Sequence, residues 1–319
     1  KSVFFLFVIT PMFSFSQTEK ENYKEIALEF SKNFNEANYD AIFGMFNDDM
    51  KNALPKEKTL AFFKNKMFRS GKIKDIEFSK VQLSAHIYKT TFQKEVSNIM
   101  ITLDNENKIS GLYIKPYIPE DLPKIERNIT KLIVPFNEEW TVAWGGTKLE
   151  DNYHVAYDNQ KYAYDLLIEK DGKTFEGDSK LNESYYVFGK KIIAPCNGTV
   201  VKVIRDVKDN IPGELNPADV SGNTVILKTE NDEFILFAHF KENTIRVMEN
   251  QIVRQGDMLG LCGNSGNSSE PHLHLSLQNV ADMNIATGGK LFFENIKVNG
   301  NIKEDYIPVK NDKVQNTNL

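Results

Sequence analysis

The chain has five histidines, His86, His154, His239, His272 and His274, and four of them lie beyond residue 150. Two stand in the run Pro271-His272-Leu273-His274, just after the glycine-rich stretch Gly260-Leu261-Cys262-Gly263-Asn264-Ser265-Gly266. The alternation His-Leu-His-Leu-Ser predicts a strand, and residues two apart in a strand share a face, so both imidazoles emerge side by side. Two adjacent imidazoles on one sheet face suit a metal. Zinc accepts nitrogen, oxygen and sulfur ligands, and its catalytic sites typically take about three from protein and leave the fourth position to water. Further donors stand upstream: His239 ends the apolar run Phe234-Ile235-Leu236-Phe237-Ala238, and His154 precedes Asp165 by eleven residues.

Other groups offer rival chemistry. Gly263-Asn264-Ser265-Gly266 has the form of a nucleophile loop with Ser265 as its hydroxyl, but a serine triad leaves the paired His272 and His274 without a purpose. The alternative is a tight glycine turn feeding the strand. The same run lacks the Gly-Lys-Ser or Gly-Lys-Thr ending of a phosphate cradle. Trp140 and Trp144 either line a groove or pack the start of a domain. Tyr162 and Tyr164 share one face of a predicted strand, from which a phenol can donate to an oxyanion, although tyrosines are common in strands. His86, with no carboxylate cluster beside it, reads as a satisfied or exposed strand histidine and not a catalytic one. Pairing of Cys196 with Cys262 requires Cα atoms closer than about 7 Å; two small buried thiols are the default.

These residues need elements to hold them. Tyr23, Ile26, Ala27, Phe30 and Phe34 recur at helical spacing and predict an amphipathic helix over 19–35. A shorter helix is expected over 39–46, and a third opens near Pro55, carries Leu60, Phe63 and Met67 on one stripe and closes at Gly71. From Ile73 the period changes to strands, over about 73–80, 83–92, 95–103 and 108–115, with Asp104-Asn105-Glu106-Asn107 as a hairpin turn. Prolines 116, 119, 123 and 135 among charges give 116–135 the composition of a linker. Beyond it, β-branched runs predict strands over 191–194, 198–204, 223–228, 234–240, 252–253, 258–262 and 272–278, so this half is mainly antiparallel β. The charge-rich segment Arg205 to Val220 is expected as a solvated loop that can wall a cleft.

Composition narrows the function. At 319 residues two domains are expected, and a formal charge of −5 with 26% charged residues disfavours a nucleic-acid or polyanion binder. Residues 1–16 predict an export signal: Lys1 is positive, Val3 to Ile9 is unbroken apolar, and Ser14-Phe15-Ser16 offers small residues for cleavage. The chain lacks an initiator Met and is expected to begin inside that signal. A membrane span needs about 20 apolar residues, and Pro11 interrupts this run. No cysteine follows the expected cleavage point, which disfavours a lipid anchor.

Over about residues 140–285 the pattern resembles the LytM and lysostaphin family of zinc endopeptidases, which cut peptide cross-links in bacterial cell walls. The resemblance rests on the His154 and Asp165 pair, Ala194-Pro195-Cys196-Asn197-Gly198-Thr199-Val200, Gly222-Asn223-Thr224-Val225-Ile226, Phe237-Ala238-His239-Phe240 and Val253-Arg254-Gln255-Gly256-Asp257-Met258-Leu259-Gly260. It closes on Gly263-Asn264-Ser265-Gly266 and Pro271-His272-Leu273-His274. It implies Zn2+ held by His154, Asp165 and His274, with His239 and His272 as an unligated pair that orients or deprotonates the attacking water and stabilises the oxyanion. The family often places the first His four residues before the Asp, whereas here the interval is eleven. A loop must therefore return the His154 imidazole, and Asp158 is the fallback carboxylate. Such an insertion costs little, because loop closure grows only logarithmically with length.

The expected organisation is a signal peptide over 1–16, an α+β accessory domain over 17–115, a linker over 116–135, a mainly antiparallel β catalytic domain over 136–300 and a tail over 301–319. The accessory domain resembles, in architecture only, the cone fold of the SnoaL and ketosteroid-isomerase superfamily. The expected function is an exported zinc metalloendopeptidase, periplasmic or extracellular, acting on peptidoglycan peptides, with no nucleic acid and no membrane span in the mature chain. Two alternatives remain: a LytM-type binding module that regulates another wall hydrolase, and a zinc protease acting on extracellular protein. A module without chemistry has no need of three ligands and two spare imidazoles.

Overall fold

The computed structural model describes residues 18–317, and the expected export signal over 1–16 lies outside them. The chain forms two compact units, Lys1–Ile118 and Pro119–Leu319. Among the described residues no helix is long and apolar enough to cross a membrane.

The first unit runs α1 (Glu21–Asn35), α2 (Tyr39–Gly44), α3 (Asp48–Ala53), α4 (Lys56–Ser70), then strands β1 (Ile73–Gln82), β2 (Ala85–Phe92), β3 (Val96–Leu103) and β4 (Ile109–Pro116). Tyr23, Ala27, Phe30 and Phe34 form the buried stripe of α1. Phe34 meets Phe63 and Phe92 edge-on at 6.2 and 5.7 Å, so the α1 stripe packs against both α4 and the sheet. The four strands make an antiparallel meander in sequence order. Helix α3 was not predicted: it buries no residue, and is started by Asn47, whose side chain accepts from Met50 N. His86 is buried on β2, its ring stacked on Tyr23 at 3.7 Å and its Nε2 accepting from Lys20 N at 3.4 Å, while its Nδ1 has no partner, so it is neither exposed nor fully satisfied.

The second unit contains β5 (Trp140–Trp144), β6 (Tyr164–Leu167), β7 (Lys191–Ile193), β8 (Gly198–Ile204), β9 (Asn223–Lys228), β10 (Phe234–Phe240), β11 (Ile252–Val253), β12 (Met258–Leu261), β13 (Leu273–Gln278), β14 (Gly288–Gly289), β15 (Ile296–Val298), β16 (Asn301–Lys303) and β17 (Lys313–Asn316). Its large sheet has eleven strands in the order β11-β8-β9-β10-β13-β6-β5-β17-β15-β16, with β14 added to β13; β12 and β7 form a separate pair. All these pairings are antiparallel.

Alternation sets the two faces. Leu273, Leu275 and Leu277 of β13, Leu166 of β6, and Ile235 and Phe237 of β10 enter one core together with Ile192 and Leu259 of the β7–β12 pair. Each such side chain contributes roughly 1.5–3 kcal/mol by leaving water. The residues between them, His274, Ser276 and Gln278 on β13 and Asp165 on β6, therefore emerge on the opposite face.

Two expected boundaries need correction. Within the segment 116–135 expected as a linker, Leu132 and Val134 are buried in the second unit's core, and Val134 N is bonded to Asn316 Oδ1 at 3.0 Å. The prolines there shape a strap that packs as it runs. The segment 301–319, expected as a tail, contains β16 and β17, and β17 pairs with both β15 and β5, so its described part through Asn316 joins the sheet.

Candidate metal centre

The strand register brings two of the predicted residues face to face. His274 of β13 pairs directly with Asp165 of β6, and on its other side with Ala238 of β10. His274 Nδ1 lies 2.9 Å from Asp165 Oδ1. The small Ala238 side chain leaves room above the sheet for further rings.

His154 reaches the same point from a loop. Asn152 caps the single turn Tyr153–Ala156, its Oδ1 accepting from His154 N at 3.2 Å. The same oxygen lies 2.8 Å from His154 Nδ1, and the Asn152 amide donates to Gly146 O and Ala163 O at 3.0 and 2.9 Å. An amide oxygen can only accept, so Nδ1 carries the proton and Nε2 keeps its lone pair. His154 Nε2 faces Asp165 Oδ2 at 3.5 Å. One ligand atom each from His154, Asp165 and His274 thus lies within 4.8 Å of the others. Asp158, the fallback carboxylate, is exposed and outside this group.

The other two imidazoles flank the group. His239 lies next to the end of β10, where the register shifts between Phe237 and Phe240, and its φ of 64° is left-handed. That conformation costs on the order of 1–3 kcal/mol. It is held by His239 N donating to Ser221 O at 3.1 Å, by Gly263 N donating to His239 O at 3.0 Å and by His239 Nδ1 donating to Ser265 O at 2.7 Å. His272 Nδ1 donates to Glu270 O at 2.8 Å, and its Nε2 is 3.5 Å from Asp165 Oδ1. The His239 and His272 ring centroids are 4.7 Å apart.

Burial governs the charge of these groups. It pushes the His154 imidazole down to about 4, against the pull of Asp165. Burial likewise holds His239 well below its usual range, reinforced by His272 and His274. For Asp165 burial alone would raise the carboxyl, but His272 and His274 hold it well below the usual carboxylate range. A neutral His154 beside an ionised Asp165 is the pair of protonation states a cation requires of them.

Whether this set fits zinc can be judged from one atom. His154 Nε2 is buried and has no hydrogen-bond partner within the protein. A buried lone pair that nothing uses is costly and calls for an explanation. It points into a group whose other donors are an imidazole nitrogen and a carboxylate oxygen, the donor types zinc takes. The residues fit the metal.

The cleft around this group has a volume of about 580 Å3. Leu215 and Val220 line it, so the loop Arg205 to Val220 does wall the site. The two tryptophans divide their roles: Trp140 is buried and stacked on Phe136 at 4.3 Å, whereas Trp144 lines the cleft and meets Tyr153 edge-on at 5.3 Å. The expected tyrosines do not serve. Tyr164 is buried with its hydroxyl donating to Leu291 O at 2.8 Å, and Tyr162 precedes the strand with a φ of 66°, so the two do not share a face. Tyr153 takes the place: it lines the cleft and its hydroxyl donates to Asp165 Oδ2 at 3.2 Å. Only its position beside His154 in sequence could have pointed to it.

Ser265 is not a nucleophile. It is fully buried, its Oγ donates to Phe240 O at 2.7 Å and accepts from Asn223 N at 2.9 Å. Its turn is tight because two backbones cross: a Cβ on Gly222 would lie 2.4 Å from Ser265 O, and one on Gly266 would lie 2.4 Å from Gly222 N. Only glycine permits that approach. Ser265→Ala removes the acceptor of Asn223 N and one of the two donors to Phe240 O, which keeps Asn223 Nδ2 at 3.0 Å, and is expected to cost about 1–3 kcal/mol in urea denaturation; an unchanged midpoint would refute this structural role. Cys196 and Cys262 are free and buried, and burial pushes the Cys196 thiol up to about 12.

Residues 185–286 match the model of Peptidase family M23, over a segment that contains His239, His272 and His274. Over that segment the second unit is thus similar to peptidase family M23. Residues 27–112 match a family described as a protein of unknown function (DUF3887). No curated protein matches. Among solved structures, the chain is similar to the catalytic domain of the antimicrobial peptidase lysostaphin from Staphylococcus simulans. That likeness has 18% identity, covers 47% of this chain and 86% of that one, and has a TM-score of 0.28. A solution structure of lysostaphin is matched at 19% identity over 40% of this chain and 39% of that one, with a TM-score of 0.24. The SpoIIQ–SpoIIIAH pore forming complex is matched at 19% identity over 50% of this chain and 89% of that one, with a TM-score of 0.32.

Proposed function

We propose that the chain is an exported zinc endopeptidase that hydrolyses peptide cross-links of bacterial peptidoglycan. The observation that carries the reading is the group His154, Asp165 and His274, whose ligand atoms lie within 4.8 Å of one another, with a buried, unused lone pair on His154 Nε2. The resemblance to the LytM and lysostaphin family supplies the substrate class. Val3 to Ile9 supports export.

His154 through Nε2, His274 through Nδ1 and Asp165 through its carboxylate would hold the ion. Bound zinc supplies Lewis acidity, polarising the scissile carbonyl and lowering the pKa of water to about 7. The chain's own groups do the rest. His272 donates through Nδ1 to Glu270 O, which leaves Nε2 free to take a proton from the attacking water and return it to the leaving amine. His239, fixed through Nδ1 on Ser265 O, presents Nε2 to the same space and orients the water. Asn152 holds the His154 tautomer, and Tyr153 holds the Asp165 carboxylate. No Glu or Asp beyond these is needed as a base.

The test is to incubate the mature chain with purified cross-linked peptidoglycan, with and without chelator, and to identify released fragments by mass spectrometry. Loss of cross-linked dimers, stopped by chelator and restored by zinc, is expected. Full cleavage in chelator, or intact wall with zinc bound, would overturn the reading.

A further inference from the structure

The strand that His272 leads into and that carries His274 continues on the same face with Ser276 and Gln278, and all four residues line the cleft. The latter pair are 1% and 2% exposed, yet Ser276 Oγ and Gln278 Oε1 have no hydrogen-bond partner within the protein. Their neighbours on the sheet face are apolar: Leu236 pairs with Ser276, Phe234 pairs with Gln278, and Met283 packs on Leu236 and Ala238. Two uncompensated polar atoms in an apolar floor lower stability. Such a cost is typical of groups kept for a ligand.

We propose that Ser276 and Gln278 form a recognition subsite for the backbone amides of an extended peptide substrate, which runs along β13 away from the reacting bond. The inference rests on the peptidase reading above. Its chemistry follows from the atoms. Gln278 Oε1 only accepts, so it requires an N–H; Ser276 Oγ can donate to a carbonyl or accept from an N–H. Among the described residues lining the cleft none is Lys or Arg, so the site is made for neutral amides and not for a carboxylate or phosphate. A glycan would bring many hydroxyls onto Leu236, Ala238 and Met283, where they would find no partner. At a strand rise of about 3.3 Å per residue, Ser276 lies ~7 Å and Gln278 ~13 Å along from His274. An extended peptide has the same rise, so the two contacts fall about two and four residues from the bond cut.

The test uses Gln278→Met and Ser276→Ala in the full zinc-loaded chain, with cross-linked muropeptide dimers as the probe. Each substitution is expected to lower kcat/KM by about tenfold through loss of a buried hydrogen bond to substrate. Zinc content stays at the wild-type level, and Tm equals or exceeds it, because an unpartnered polar atom is removed. A fallen Tm with unchanged kcat/KM would mark a structural role and overturn the proposal. Dimer affinity is measured in parallel in a His272→Ala background, where turnover does not enter. If the wild-type chain cleaves dimers and both variants match it, the subsite fails and the peptidase reading stands. If nothing is cleaved, the peptidase reading fails, and affinities then decide the subsite: weaker dimer binding by the variants supports it, and equal or absent binding overturns it. Gln278-dependent binding of glycan strands stripped of peptide would also overturn it.

Discussion

His274→Ala is expected to lose bound zinc and peptide cleavage together. His274 Nδ1 is 2.9 Å from Asp165 Oδ1, and the two residues are register partners on adjacent strands, so no other side chain can take the position. His154 and Asp165 alone make a two-donor site, below the three protein ligands of a catalytic zinc centre. Without the metal's several kcal/mol of charge stabilisation, turnover should fall by at least about 10^3-fold. The strand itself survives, because Leu273, Leu275 and Leu277 keep it in the core. Elemental analysis and the peptidoglycan assay check the two losses separately. Zinc retained at one per chain would show that the ligand set is wrongly assigned.

His272→Ala is expected to separate what His274→Ala joins: zinc stays and turnover falls. His272 is anchored through Nδ1 on Glu270 O, with Ser268 Oγ 3.2 Å away, and is not in the group of three ligand atoms. A general acid–base group contributes typically about 10^2–10^4 in rate, and the drop in kcat should lie in that range with KM little changed. Equal metal content in mutant and wild type is the control that a ligand role would fail. Activity within about twofold of wild type would remove His272 from the chemistry.

The parts of this fold that were legible in sequence are those in which one short-range pattern does the work. Gly198–Ile204, Asn223–Lys228, Phe234–Phe240 and Ile252–Val253 are strands over the residues their β-branched and apolar runs mark. The His-Leu-His alternation fixed which face His272 and His274 share, because a strand's period leaves no alternative. Strands β15, β16 and β17 escaped notice because they are three or four residues long and polar at several positions, and gain their identity only from partners. The strap over 116–135 misled through its prolines, which describe backbone stiffness and not whether Leu132 and Val134 find a core. Asn152 and Tyr153 were silent for another reason: a hydrogen bond to an imidazole or a carboxylate leaves no period in the chain. Ser276 and Gln278 stood in plain view of the strand pattern, but only their burial without partners gives them meaning.

The eleven-residue interval between His154 and Asp165 has a consequence for how this site can change. Asn152 bonds both to the ligand imidazole and, across the base of the loop, to Ala163 O, so the ligand is pinned at the neck of the excursion and not by its tip. The tip holds Tyr157, Asn159 and Gln160, which line the cleft. Substitutions, insertions or deletions between 155 and 162 can therefore reshape what the cleft accepts while the imidazole keeps its place. Under the proposed function, the metal-holding residues and the cleft's selectivity are thus open to separate variation.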